Sequence, residues 1–116
     1  MADELKIGLV VSYDKNGAKY VRSEHQEVDI TGDSIGGQIQ SIPTSNTALV
    51  VPAAIGTVGW VYIKNLDATN YVSVGLTGSY TIKLLAGEST MFRAAGTIFA
   101  LANTGACLVE YQMFEL

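Results

Sequence analysis

The stretch GWVYIKNLDATNYVSVGL, residues 59–76, decides the fold. In its first half Trp60, Tyr62 and Lys64 alternate with Val61, Ile63 and Asn65. In its second half Val72, Val74 and Leu76 alternate with Tyr71, Ser73 and Gly75. A period of two puts successive side chains on opposite sides of a strand, so each half reads as a strand buried on one face. Between them NLDATNY reads as a type I turn, with Asp67 placed to accept backbone amides and Asn70 suited to left-handed geometry.

The same alternation continues on both sides of this stretch. YTIKL sets Tyr80, Ile82 and Leu84 against Thr81 and Lys83. ACLVEYQMFEL sets Cys107, Val109, Tyr111 and Met113 against Ala106, Leu108, Glu110 and Gln112. β-Branched and aromatic residues fill these runs, and Gly, Asn and Asp separate them. Asn16-Gly17 is a hairpin signal, because both residues accept positive φ. Gly78, Gly87 and Gly105 mark further turns. No segment carries a capped apolar period of 3.6; TSNTALVV comes nearest, and its valines and Pro52 favour a strand. The pattern predicts an all-β chain: a single domain over residues 1–116, a β-sandwich or barrel, with about nine strands and little or no helix. Residues 1–8 are expected to form an N-terminal arm or edge strand.

Composition bounds the partners. Hydrophobic residues make up 48 % of the chain and charged residues 16 %, against roughly 25 % charged in ordinary domains. So little polar material leaves apolar surface to be covered, and copies of the chain itself are the expected cover. The net charge is −4, and the basic residues Lys6, Lys15, Lys19, Arg22, Lys64, Lys83 and Arg93 are scattered. Phosphate binding needs clustered cations, so no nucleic-acid partner is expected. No apolar run approaches the ~20 residues of a membrane span, so no membrane partner is expected either. MADELKIGLVV places acidic residues before a short apolar run, the reverse of a signal peptide, which points to a cytosolic product. Cys107 is alone, which removes an intrachain disulfide and a cysteine-based zinc site; its apolar neighbours suit a buried, inert thiol.

GDSIGG, residues 32–37, comes within one letter of the nucleophile motif of trypsin-like proteases, and His25 lies upstream. That chemistry needs backbone donors about 3 Å from the oxyanion. Ile35, between Ser34 and Gly36, shifts their register. The expectation is a loop or bulge between the EVDIT and QIQSI strands, in a chain that is not an enzyme. Asp29 and Asp33 lack the further oxygens a calcium site wants. The glycines lack the Lys and Ser/Thr of a phosphate loop. No catalytic residue, cofactor or metal is expected. Trp60, Tyr62 and Tyr71 are candidates for an aromatic platform, with core or subunit contact the favoured reading of Trp60.

Asn65 to Val74, Leu85 to Glu88, Arg93, and Leu108 to Tyr111 follow a pattern of a NLDATNYV strand, an L-AGE turn, an arginine-bearing strand and a closing strand. In this, residues 26–116 resemble small virion proteins of tailed bacteriophages. The resemblance implies a single antiparallel β-sandwich, jelly-roll-like, that assembles on the particle: a capsid decoration or cement protein docked on the major capsid protein, or a head-fibre, neck or tail component. It implies a homotrimer, made in the host bacterial cytoplasm and resident in the virion. Expected subunit or lattice contacts are Leu5, Ile7, Leu9, Ile35, Trp60, Tyr62, Tyr71 and Phe92. The alternative is a carbohydrate- or host-surface-binding appendage using Tyr20, Trp60, Tyr62 or Tyr71.

Overall fold

Strands and turns account for the described chain, residues 4–116 of a computed structural model, with ten strands and no helix. They are β1 (Leu5–Lys15), β2 (Ala18–Val28), β3 (Ile35–Ile42), β4 (Thr47–Ala48) and β5 (Val58–Asn65), then β6 (Val72–Leu76), β7 (Ser79–Leu84), β8 (Ser89–Arg93), β9 (Phe99–Ala102) and β10 (Cys107–Glu115). All pairings are antiparallel. The chain falls into two compact units, Met1–Thr31 and Gly32–Leu116, where the sequence pattern suggested one.

The first unit is a hairpin. Asn16 and Gly17 take φ of 51° and 84°, the positive pair that a tight two-residue turn demands. The ladder runs unbroken from Lys15↔Ala18 to Leu5↔Val28. Of the expected arm, residues 1–3 lie outside the described residues, and from Leu5 onward the chain belongs to this long paired strand. Glu4 ties the far end by accepting the Ile30 amide at 3.0 Å.

The second unit holds two four-stranded sheets, ordered β3-β10-β5-β8 and β4-β9-β6-β7. The pairs nest: β6 with β7, β5 with β8, β4 with β9 and β3 with β10. This is the order produced by folding one long two-stranded ribbon over on itself. Inward residues of both sheets share one core, with Ile42, Val61, Ile63, Val109 and Tyr111 from one sheet and Val72, Val74, Leu84 and Ala100 from the other. Each large side chain so buried contributes about 1.5–3 kcal/mol. The alternation read from the sequence holds along β5 and β10, whose burial switches at nearly every residue.

Two strands depart from the expected pattern. A bulge between Val74 and Gly75 slips the β6 register, and Leu76, expected on the core side, is left 47 % exposed. The bulge closes because residue 75 lacks a Cβ, which would lie 2.4 Å from the Ser79 carbonyl. GDSIGG is half loop and half strand: β3 already begins at Ile35, and Gly37 sits where a Cβ would meet the Tyr111 carbonyl at 2.2 Å.

Asn65, at the end of β5, is fully buried. Its amide donates to the carbonyls of Asn70 (2.9 Å) and Leu84 (3.1 Å), and its oxygen accepts the Asp67 amide at 2.9 Å. Asp67 in turn accepts the amides of Asn70 and Thr69, which hold its carboxyl below the ordinary value. Asp67 therefore accepts backbone amides as the sequence suggests, whereas Asn70 keeps an ordinary backbone; among the described residues Asn16 is the non-glycine residue with positive φ.

Candidate functional site

Residues directly opposite across an antiparallel pair share a face. On the outer side of β3-β10-β5-β8 the registers build two mixed rows, Ile35–Phe114–Trp60–Arg93 and Gly37–Gln112–Tyr62–Met91. Ile35 is 66 % exposed, and Phe114, Trp60 and Tyr62 are half-buried. The Arg93 guanidinium lies 5.3 Å from the centroid of the Trp60 ring, a contact worth about 0.5–1 kcal/mol. Trp60 Nε1 is buried and has no acceptor among the described residues. A groove of about 300 Å³ on this sheet is bordered by Gly37, Ile39, Tyr62, Glu110 and Gln112.

Beside this face, the GDS segment is strapped to the last strand. One oxygen of Glu115 accepts the amides of Asp33 (3.0 Å) and Ser34 (3.2 Å), and the other accepts that of Gly56 at 2.7 Å. These donors, Gly56 first, hold the Glu115 carboxyl below its ordinary range. The Glu115 amide donates back to the Ser34 carbonyl, and Gly32 donates to the carbonyl of Leu116. A Cβ at Gly32 would sit 2.3 Å from the Glu115 carboxylate. Both backbone groups of Ser34 are thus engaged, and its hydroxyl points to Asp33 at 3.4 Å. His25 belongs to the hairpin, opposite Gly8. Among the described residues no three His, Cys, Asp or Glu side chains gather as metal ligands would.

The expected contact residues scatter into four places. Ile35, Trp60 and Tyr62 meet on the sheet face. Tyr71 precedes β6 in the opposite sheet, where the Lys83 ammonium stands 4.1 Å from its ring centroid, so Trp60, Tyr62 and Tyr71 form no common platform. Phe92 pairs with Val61 and packs against the core. Leu5 and Ile7, half-buried and buried, share a hairpin face with Leu9. Phe114 was missed, although one more step along the β10 alternation reaches it. Glu115 carried no sequence signal, because its partners lie 59 and 82 residues away.

Two further surfaces complete the inventory. An apolar cavity of about 710 Å³ opens at one end of the sandwich, lined by Val51, Pro52, Ile55, Val58, Ile98 and Met113 among others, with no titratable side chain. The hairpin leaves six large apolar residues exposed: Leu9, Val10, Val11, Tyr13, Tyr20 and Val21, with Val10 at 76 % and Val21 at 74 %. Leu9, Val11, Tyr13 and Tyr20 lie on one face and Val10 and Val21 on the other.

Compared with known proteins, the chain matches no family model, no curated protein and no solved structure.

Proposed function

We propose that this chain is a non-enzymatic structural protein of a tailed-bacteriophage virion, which associates with copies of itself and docks on the capsid as a decoration or cement protein. The observation that carries the reading is the hairpin. Two strands alone are marginally stable in water, yet these expose six large apolar side chains on both faces. Apolar surface of that kind is covered in a working assembly. The nested ribbon order adds support by analogy, since double-sheet jelly rolls are wired so and serve in capsids. The segments that carry the resemblance to virion proteins, above all Asn65 to Val74, hold the sandwich together. The partners are a second and third copy in a trimer, and the major capsid protein.

Sedimentation tests self-association: an oligomer at micromolar concentration is expected, and a clean monomer refutes it. A chain lacking residues 1–31 should keep the sandwich and lose the particle; undiminished occupancy refutes docking through the hairpin. A head-fibre, neck or tail position would appear in images of particles with and without the protein. The groove at Gly37, walled by Tyr62, Glu110 and Gln112, favours a second reading as a carbohydrate- or host-surface-binding module. Trp60 fluorescence that shifts on adding oligosaccharide would establish that one instead.

A further inference from the structure

Among the described residues β2 pairs with β1 alone, so its other edge is open along its length. Ala18 through Glu27 are all exposed. The two-residue turn closes on Lys15↔Ala18, which makes that the hydrogen-bonded pair of the ladder. Alternation then aims the N–H and C=O of Lys19, Val21, Ser23, His25 and Glu27 away from β1. A strand edge left so is a template for another chain, and no proline or bulge blunts it.

The charges on this edge are arranged about its centre. Lys19 and Glu27 lie equally far from Ser23, and so do Arg22 and Glu24. We propose that β2 pairs antiparallel with β2 of a second copy, with Ser23 opposite Ser23 on a two-fold axis. Lys19 then faces Glu27 and Arg22 faces Glu24, each twice. Arg22 and Glu24 already form an ion pair along the strand at 2.7 Å, so the four residues of the two copies make a square of alternating charge. Centring the pair on Arg22 or Glu24 sets like charges opposite each other, which destabilises a ladder. Centres between residues mismatch the outward backbone groups. A parallel register stacks every charge on its like. The β1 edge has a similar symmetry about Val10, but it pairs only Lys6 with Asp14. Joining through β2 gives one four-stranded sheet, with Leu9, Val11, Tyr13 and Tyr20 of both copies on a single broad face for the next partner. The contact is two-fold and links copies in pairs, whatever ring the sandwiches form.

This contact rests on the self-association proposed above, and single cysteines in the full chain test the two apart. Opposed Cα atoms in such a pair sit about 5.5 Å apart, within disulfide range. Oxidised Ser23→Cys should run as a covalent dimer on a non-reducing gel. Val21→Cys should not, since its counterpart lies four residues along the strand, about 13 Å away. Cys107 is buried and stays out of the reaction. The double variant Glu24→Arg with Glu27→Lys should weaken pairing at least tenfold, and adding Lys19→Glu with Arg22→Glu should restore it. An oligomer whose Ser23→Cys form does not cross-link overturns this contact and leaves self-association standing. A monomer overturns both. Cross-linking through Val10→Cys in place of Ser23→Cys moves the contact to β1 and overturns the proposal.

Discussion

Replacing Asn65 with alanine removes three hydrogen bonds at once, two donated to the Asn70 and Leu84 carbonyls and one accepted from the Asp67 amide. At about 1 kcal/mol net for each bond, the lost bonds cost about 3 kcal/mol. The bond to the Leu84 carbonyl is fully buried, and orphaning such a group adds about 1–3 kcal/mol. The expected loss is therefore about 4–6 kcal/mol, a large part of what a small protein holds. Urea unfolding followed by Trp60 fluorescence measures it. With a slope of about 2 kcal/mol per molar, the midpoint should fall by roughly 2–3 M with the slope unchanged. Asn65→Asp sharpens the test, because a carboxylate of the same shape cannot donate to two carbonyls. Burial and those carbonyls raise the folded-state pKa of the introduced acid above its unfolded value. Its penalty is then full above the folded pKa and shrinks as pH falls toward the unfolded one. A loss under 1 kcal/mol for alanine, or an aspartate variant as stable as wild type at neutral pH, would refute the role given to this amide.

Three other outcomes follow from the same structure. Glu115→Gln should lower the thermal midpoint at neutral pH, and the gap to wild type should close on acidification: a carboxyl held below its ordinary value of 4.5 stabilises above that value and ceases to as pH falls through its depressed one; a gap that widens in acid contradicts this. Gly37→Ala, aimed at the Tyr111 carbonyl, should cost more than Gly17→Ala, which has open space and only positive φ to contend with, about 1 kcal/mol; comparing their urea midpoints decides. The Cys107 thiol, buried and pushed up first by burial and then by Asp67, should react with a thiol reagent only as the sandwich unfolds, and prompt native labelling would count against its burial.

What the sequence discloses here is local. The alternation in β5 and β10 predicts which side chains enter the core, and Asn16-Gly17 and Asp67 predict their turns, because each depends on neighbours a few residues away. The bulge after Val74 does not show, since it depends on what the next strand brings against Gly75. Nor does the work of Glu115, whose amide donors come from distant loops. The division into hairpin and sandwich is equally hidden. Leu5 to Tyr13 alternate as the sandwich strands do, and a period of two says that a strand has two faces, not which strand it will meet. Trp60 and Tyr71 illustrate the same gap: both precede or open apolar runs, yet they end on different sheets.

The nesting of strand pairs also dictates an order of events. β6 and β7 are joined by a short turn and can meet early, whereas β3 must wait for β10, whose Phe114 completes the pair with Ile35. Loop closure becomes costlier with each outer pair, so assembly proceeds from the middle of the ribbon outward. On the ribosome this leaves β3 and β5 without their shared neighbour until β10 emerges, with apolar inner faces waiting on the last strand of the sandwich. A truncation that removes only β10 would thus yield an unclosed, aggregation-prone chain, not a smaller working domain.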